Sequence, residues 1–287
     1  MTVETSPKRH FAQDRLPWVV GAAALVAYLA TLNHWLTFES LALVGTVNGW
    51  DWRPMLAQPV LFLLTCPFRL LPASWVPLAL NVFAAGCAAL TLVTLARSVA
   101  LLPHDRTEDQ RLLVNHEHAL LSLRSAWVPI VLAAVALGLH LTFWEHAIYA
   151  SGEMLDLLMF AYVIRCLLEH RIGARQSWLD RAALLFGVAL ANNWAMAGFL
   201  PFFVVALLRT KRFRFFRLRT LRHLDQSGWE SAKAALVADL RFLLRMALLG
   251  LAGLSLFLLL PLVQSLSPHS ALGFWPALQE SAGAYEA

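Results

Sequence analysis

The chain has 287 residues, 59% of them hydrophobic and only 14% charged, with a formal net charge of +5. Soluble domains carry roughly a quarter charged residues, so the composition argues against a soluble enzyme. Its apolar blocks are long enough to cross about 30 Å of hydrocarbon, which predicts an all-α integral membrane protein. The basic residues flank these blocks, as the bias of Lys and Arg toward cytoplasmic loops requires, and no nucleic-acid partner is expected.

Residues 1–16 form a basic, polar tail carrying Lys8, Arg9 and Arg15, read as cytoplasmic. The apolar run behind them lacks a small-residue cleavage site, so it reads as an uncleaved first span over about Leu16–Trp35. The polytopic domain covers 17–266. Residues 36–74 make the first external loop. Its first part, 36–58, is too polar to span. Residues 59–72 are apolar but would rise only about 21 Å as a helix, and they contain Pro67, Arg69 and Pro72. They read as a re-entrant or interfacial helix. Span two is about Trp75–Leu102.

Residues 103–125 form a cytoplasmic loop. His116 and His118 fall on different sides of a helix, so a solvated helix is expected there and no metal site. The stretch from Ala126 to Leu168 would be about 64 Å long as one helix, roughly twice the membrane. It must turn back, and Ser151-Gly152 is the natural break. Span three therefore runs to about Trp144, and span four from Met154 to Leu168. A cytoplasmic loop follows at 169–181.

Residues 182–208 are flanked by arginines on both sides. One crossing would put a basic cluster outside, so two short helices turning at Ala191–Trp194 are predicted. The basic loop 209–243 interleaves Phe213, Phe215 and Phe216 with arginines. Its 209–222 part is expected on anionic lipid, and 229–243 as a surface helix. The last span is about Arg245–Leu266. Residues 267–287 then form an external tail without a closing element, which reads as the start of a further region. This makes about seven crossings, N-terminus cytoplasmic and C-terminus external. Cys66, Cys87 and Cys166 show no metal spacing and are read as buried free thiols. No cofactor is implied.

This topology gathers the unusual polar residues on one side. Glu39, Asp51 and Arg53 follow span one; Glu145, His146, Glu153 and Asp156 sit at the second external turn; Asn192 and Asn193 sit at the third. Acidic groups at a bilayer boundary are costly and tend to mark sites. A carboxylate here suits a general base, and an arginine suits a phosphate. The plainer readings are solvated loop acids, helix caps, and amides that satisfy a tight turn. Asn81, inside span two, reads as interhelical glue.

Several segments resemble bacterial members of the protein O-mannosyltransferase-like membrane family of the GT-C superfamily. They are Thr37-Phe38 after span one, Leu80–Leu90 in span two, Thr142-Phe143-Trp144, and Gly187–Asn192. The resemblance covers most of residues 17–208. It implies a GT-C-like helical bundle with its site at the external face of a bacterial inner membrane. The donor would be a polyprenyl-phosphate sugar, mannose-like, and the acceptor a hydroxyl of an exported protein. Glu39 or Asp51 would be the base, with Arg53 near the donor phosphate and Glu145, His146, Glu153 and Asn192 around the substrates.

The sequence departs from the family at several of these places. The loop reads Glu39-Ser40-Leu41 where an Asp-Ser-Gly-Glu-like motif is expected, and Arg53-Pro54-Met55 where a His-Pro-Pro-Gly-like motif is expected. Asn192-Asn193-Trp194 stands in place of Asn-His-His. Two functions therefore stand open: a divergent transferase, and a catalytically degenerate relative that binds lipid-linked sugar or acts as a scaffold.

Overall fold

A computed structural model describes residues 14–49, 57–102, 127–210, 226–266 and 273–283. Every regular element among them is helical. Asp51, Arg53, the His116–His118 segment and the basic stretch 211–222 lie outside the described residues.

The first helix, α1 (Leu16–Ala30), opens with Pro17 in its first turn, where the missing N–H costs nothing. It lies close along the central helix α4 (Val76–Leu101). A Cβ on Gly21 would collide with Val93. Between them in the chain comes α2 (Phe38–Asn48), in the segment expected to be too polar to span. Thr37 and Ser40 form a capping box at its start, and Gly49 closes it with φ 73°. That box was legible, but the polar composition hid it. The short helix α3 (Pro59–Thr65) tightens into a 3-10 turn over Cys66–Leu70, matching the expected short apolar helix.

Among the described residues, two helical stretches are long and apolar enough to cross a membrane, Val76–Leu101 and Leu236–Leu266. Of the first, 61% of the apolar window is buried; of the second, 22%. The first is therefore the hub of the bundle, and the second presents its apolar face outward. Leu240, Leu244, Leu248 and Leu251 form that outward stripe at helical spacing. A third span exists if the pair α5 (Val128–Gly138) and α6 (Leu141–Ile148) is counted as one.

That pair corrects the third span. Its axis bends by 70° between the two helices, so no straight helix runs from Ala126 to Trp144. Tyr28 fixes the elbow by donating its hydroxyl to the Gly138 carbonyl at 3.0 Å. This partner lies 110 residues away, and local pattern does not reveal it. The turn at Ser151-Gly152 stands where expected, and α7 (Glu153–Gly173) follows it.

The split in 182–208 is also present. Helix α8 (Gln176–Asn192) ends at Asn193, which is extended, and a 3-10 turn over Trp194–Phe199 leads into α9 (Leu200–Thr210). The return is antiparallel, with Phe203 stacked on Phe186 at 4.5 Å.

Beyond it, α10 (Gln226–Leu254) is continuous. This corrects the expected division into a surface helix and a separate span at Arg245. From Trp229 to Leu249 the sequence holds neither Gly nor Pro, and nothing stops the helix. A 3-10 turn at Ser255–Leu258 breaks it before α11 (Leu259–Leu266). The tail was expected to lack a closing element, but α12 (Phe274–Gly283) packs back on α11 and buries Ala277 and Ser281. Cys87 and Cys166 are buried free thiols as expected, whereas Cys66 is exposed.

Ion pairs gather at the bundle end where α4 and α7 finish. Arg97 joins Asp14 at 3.1 Å and Glu169 at 3.2 Å. Arg245 joins Asp180 at 2.6 Å. The opposite end, where α7 begins, holds the candidate site.

Candidate functional site

The site is built from chain turns. The Thr37 cap holds Glu39 in the first turn of α2. On α6, Phe143 and Ala147 are buried, which leaves Glu145 and His146 toward the rim. Tyr149 ends that helix in extended conformation, and Glu153 opens α7, where a carboxylate meets the positive end of the helix.

These groups form a chain. The His146 Nε2 lies 3.0 Å from a Glu153 carboxylate oxygen. Its Nδ1 lies 2.7 Å from the Tyr149 hydroxyl. Burial pushes the Tyr149 phenol well above its usual range, and the nearby carboxylates Glu39, Glu153 and Glu145 push it further. The Glu153 side chain is 64% exposed and that of His146 19%, so the chain runs from a sheltered ring to open solvent.

A second network lies beneath it. Asp156 is buried and accepts from Asn192 Nδ2 at 2.6 Å and Asn193 Nδ2 at 2.8 Å. The Asn192 Oδ1 accepts from the Val60 and Leu61 amides, both at 3.1 Å, and so caps the N-terminus of α3. The Asn193 Oδ1 accepts from Ala195 N at 2.9 Å, starting the next turn. Asn81 donates to the Asn33 carbonyl at 2.6 Å and accepts from Ala150 N at 2.7 Å. Asn33 N in turn donates to Ile148 O at 3.1 Å. These amides tie four turns together, because buried backbone groups outside regular helix need partners. The glue expected of Asn81 is present. Gly152 packs closely here, since a Cβ there would lie 2.8 Å from Gln58 Oε1 and displace that side chain.

Of the residues singled out in the sequence, Glu39, Glu145, His146 and Glu153 converge around Tyr149. Asn192 is fully buried in the lower network, with both ends of its amide engaged. Asp51 and Arg53 lie outside the described residues. Asp156 and Asn193, expected at the same mouth, stand in the lower network. Tyr149, to which the sequence reading gave no role, stands in the upper one. Among the described residues no cluster of three or more His, Cys, Asp or Glu could hold a metal ion. No family model, curated protein or solved structure matches the chain.

Proposed function

We propose that this chain is a GT-C-like membrane glycosyltransferase. It moves a mannose-like sugar from a polyprenyl-phosphate donor to a hydroxyl of an exported protein at the external face. The observation that carries this reading is the meeting of Glu39, from the helix directly after the first span, with Tyr149, His146 and Glu153 from the second turn. An exposed carboxylate beside a phenol and an imidazole suits a general base for a hydroxyl acceptor.

Orientation follows from charge. Arg97, Arg165, Arg171, Arg175 and Arg181 lie on the helix ends away from the site, so the positive-inside bias puts the site outside. Seven crossings fit the helix directions. Asp180 pairs with Arg245, and Gly187 abuts Gly250, so α8 and α10 run in parallel, which requires a return by α9 between them. The N-terminus is then cytoplasmic, the C-terminus external, and the membrane that of a bacterial cell interior. The basic stretch 209–222 meets anionic lipid.

In the reaction the acceptor oxygen gives its proton to Glu39 and attacks the anomeric carbon. The bond to the donor phosphate breaks, and its electron pair leaves with the polyprenyl phosphate. Arg53 holds that phosphate. Asp51 is the second carboxylate of the same loop. Asn192 acts through the turn that it caps and does not touch substrate.

The sealed Asp156–Asn192–Asn193 network favours the second reading, a degenerate relative acting as a lipid-linked-sugar binder or scaffold, since the third turn offers no free group. Purified protein in lipid, given a labelled polyprenyl-phosphate mannose and a Ser/Thr peptide, decides between them. Transfer of label to the peptide is expected; donor binding without transfer supports the scaffold.

A further inference from the structure

Arg69 differs from the arginines at the ion-paired end of the bundle. It stands in the 3-10 turn Cys66–Leu70 and is exposed. This turn lies at the end that holds the candidate site: it follows α3, whose start Asn192 caps, and its Phe68 packs edge-on against Phe83 of α4. Two contacts hold the guanidinium in place. Its Nη2 donates to the Thr46 carbonyl, in the last turn of α2, at 3.3 Å. The group also lies 5.3 Å from the centre of the Phe62 ring. A guanidinium has five N–H donors, and this carbonyl takes one. Among the described residues no carboxylate pairs with Arg69, whereas Arg97 and Arg245 each meet an acid.

The neighbouring Phe68 closes one side of an apolar groove of about 320 Å³. Its floor is one face of α4, formed by Trp75, Leu78, Ala79, Val82 and Phe83, at the spacing of a single helix stripe. Ala79 stands one turn from both Trp75 and Phe83, and its small side chain makes the hollow. Trp75 is 64% exposed at the start of α4, where a tryptophan marks the boundary between hydrocarbon and headgroups. From Trp75 to Phe83 the helix rises about 12 Å. One leaflet is about 15 Å deep, half of a 30 Å hydrocarbon core. The groove therefore begins at headgroup level, beside Arg69, and runs inward through most of one leaflet.

We propose that Arg69 and this groove bind one anionic phospholipid from the leaflet on the side of the candidate site. The phosphate sits on the guanidinium, and one acyl chain lies along Phe68, Ala79 and Phe83. Charge selects the headgroup: phosphatidylglycerol carries a phosphate and no ammonium group to compete with Arg69, and a guanidinium matches a phosphate in two parallel hydrogen bonds. Length selects the chain, since a fatty acyl chain matches one leaflet and a polyprenyl chain runs past it. The site is separate from the acidic rim and does not depend on the transferase reading.

The full chain, stripped of lipid in detergent, is titrated with dioleoyl phosphatidylglycerol while native mass spectrometry counts the lipids bound. Arg69→Gln is expected to weaken the first binding event roughly tenfold or more, as loss of a charge-assisted contact does. Ala79→Phe fills the groove without touching the charge and is expected to weaken it as well. Dioleoylglycerol, with the same chains and no phosphate, is expected to bind weakly, and equally to the wild type and to Arg69→Gln. Unchanged binding in Arg69→Gln, or equal binding of the two lipids, overturns the phosphate contact. Unchanged binding in Ala79→Phe overturns the groove. Polyprenyl phosphate that displaces phosphatidylglycerol at equal concentration from the wild type assigns the groove to a polyprenyl chain and overturns the proposal. Should one variant fail to fold, the other and the comparison with dioleoylglycerol carry the test.

Discussion

Asn192 makes the clearest statement at the scale of single residues. Its side chain satisfies two backbone amides of α3 and one oxygen of a buried carboxylate. Replacing it by alanine strands all three, and a stranded buried polar group costs about 1–3 kcal/mol. Asn192→Ala is therefore expected to lower the thermal midpoint in detergent sharply, by a loss of about 2–4 kcal/mol. Thr31→Ala provides the contrast. It also removes a side-chain hydrogen bond, at 2.9 Å to Ala27 O, but in an exposed position, and should cost no more than about 0.5 kcal/mol. Equal effects would mean that the Asn192 network is not what holds the turns. The sequence marked Glu39, Glu145, His146 and Glu153 because acids beside apolar runs are conspicuous. It marked Asp156 too, but not its partners, which lie 36 and 37 residues away, and it gave Tyr149 no role.

Between helices, the contact of α8 with α10 depends on missing side chains. A Cβ on Gly187 would run into the Gly250 carbonyl, and one on Gly253 would run into Leu184 O and Val188 N. Apolar helices in lipid gain little from the hydrophobic effect on pairing, so close backbone approach at small residues carries the association. Gly86, on α4, has open space around it. Alanine favours a helix over glycine by about 1 kcal/mol, so Gly86→Ala should raise the thermal midpoint. Gly253→Ala should lower it by about 1–3 kcal/mol through overpacking. The opposite signs of these two substitutions are the expected result, and a shift of both in the same direction would refute the close crossing. Elements were legible where chemistry interrupts the chain, as at Ser151-Gly152 and Asn192-Asn193. They were misjudged where tertiary contacts decide. The elbow between α5 and α6 depends on Tyr28. Helix α10 runs on through Arg245 because no Gly or Pro stops it there, and Arg245 pairs with Asp180.

Across the whole molecule, the two ends differ in kind. One end joins arginines to acids in ion pairs; the other, among the described residues, holds carboxylates around a tyrosine and a histidine with no arginine paired to them. The helical class and the pairing of short helices were readable from span length and basic flanks. The convergence of two turns on Tyr149 was not, because it requires relative helix positions. With Cys66 changed to Ser, a cysteine at the exposed Ser74 should react with an impermeant maleimide from outside intact cells, and one at the exposed Ala174 only after lysis. The reverse pattern would turn the molecule over and put the acidic end in the cytoplasm. The most direct test of the account is the kcat of Glu39→Gln at saturating polyprenyl-phosphate sugar, measured beside the wild type. The account predicts a fall of about 10²-fold or more, the usual contribution of a general base, with donor KM little changed. Wild-type turnover retained in Glu39→Gln would contradict it.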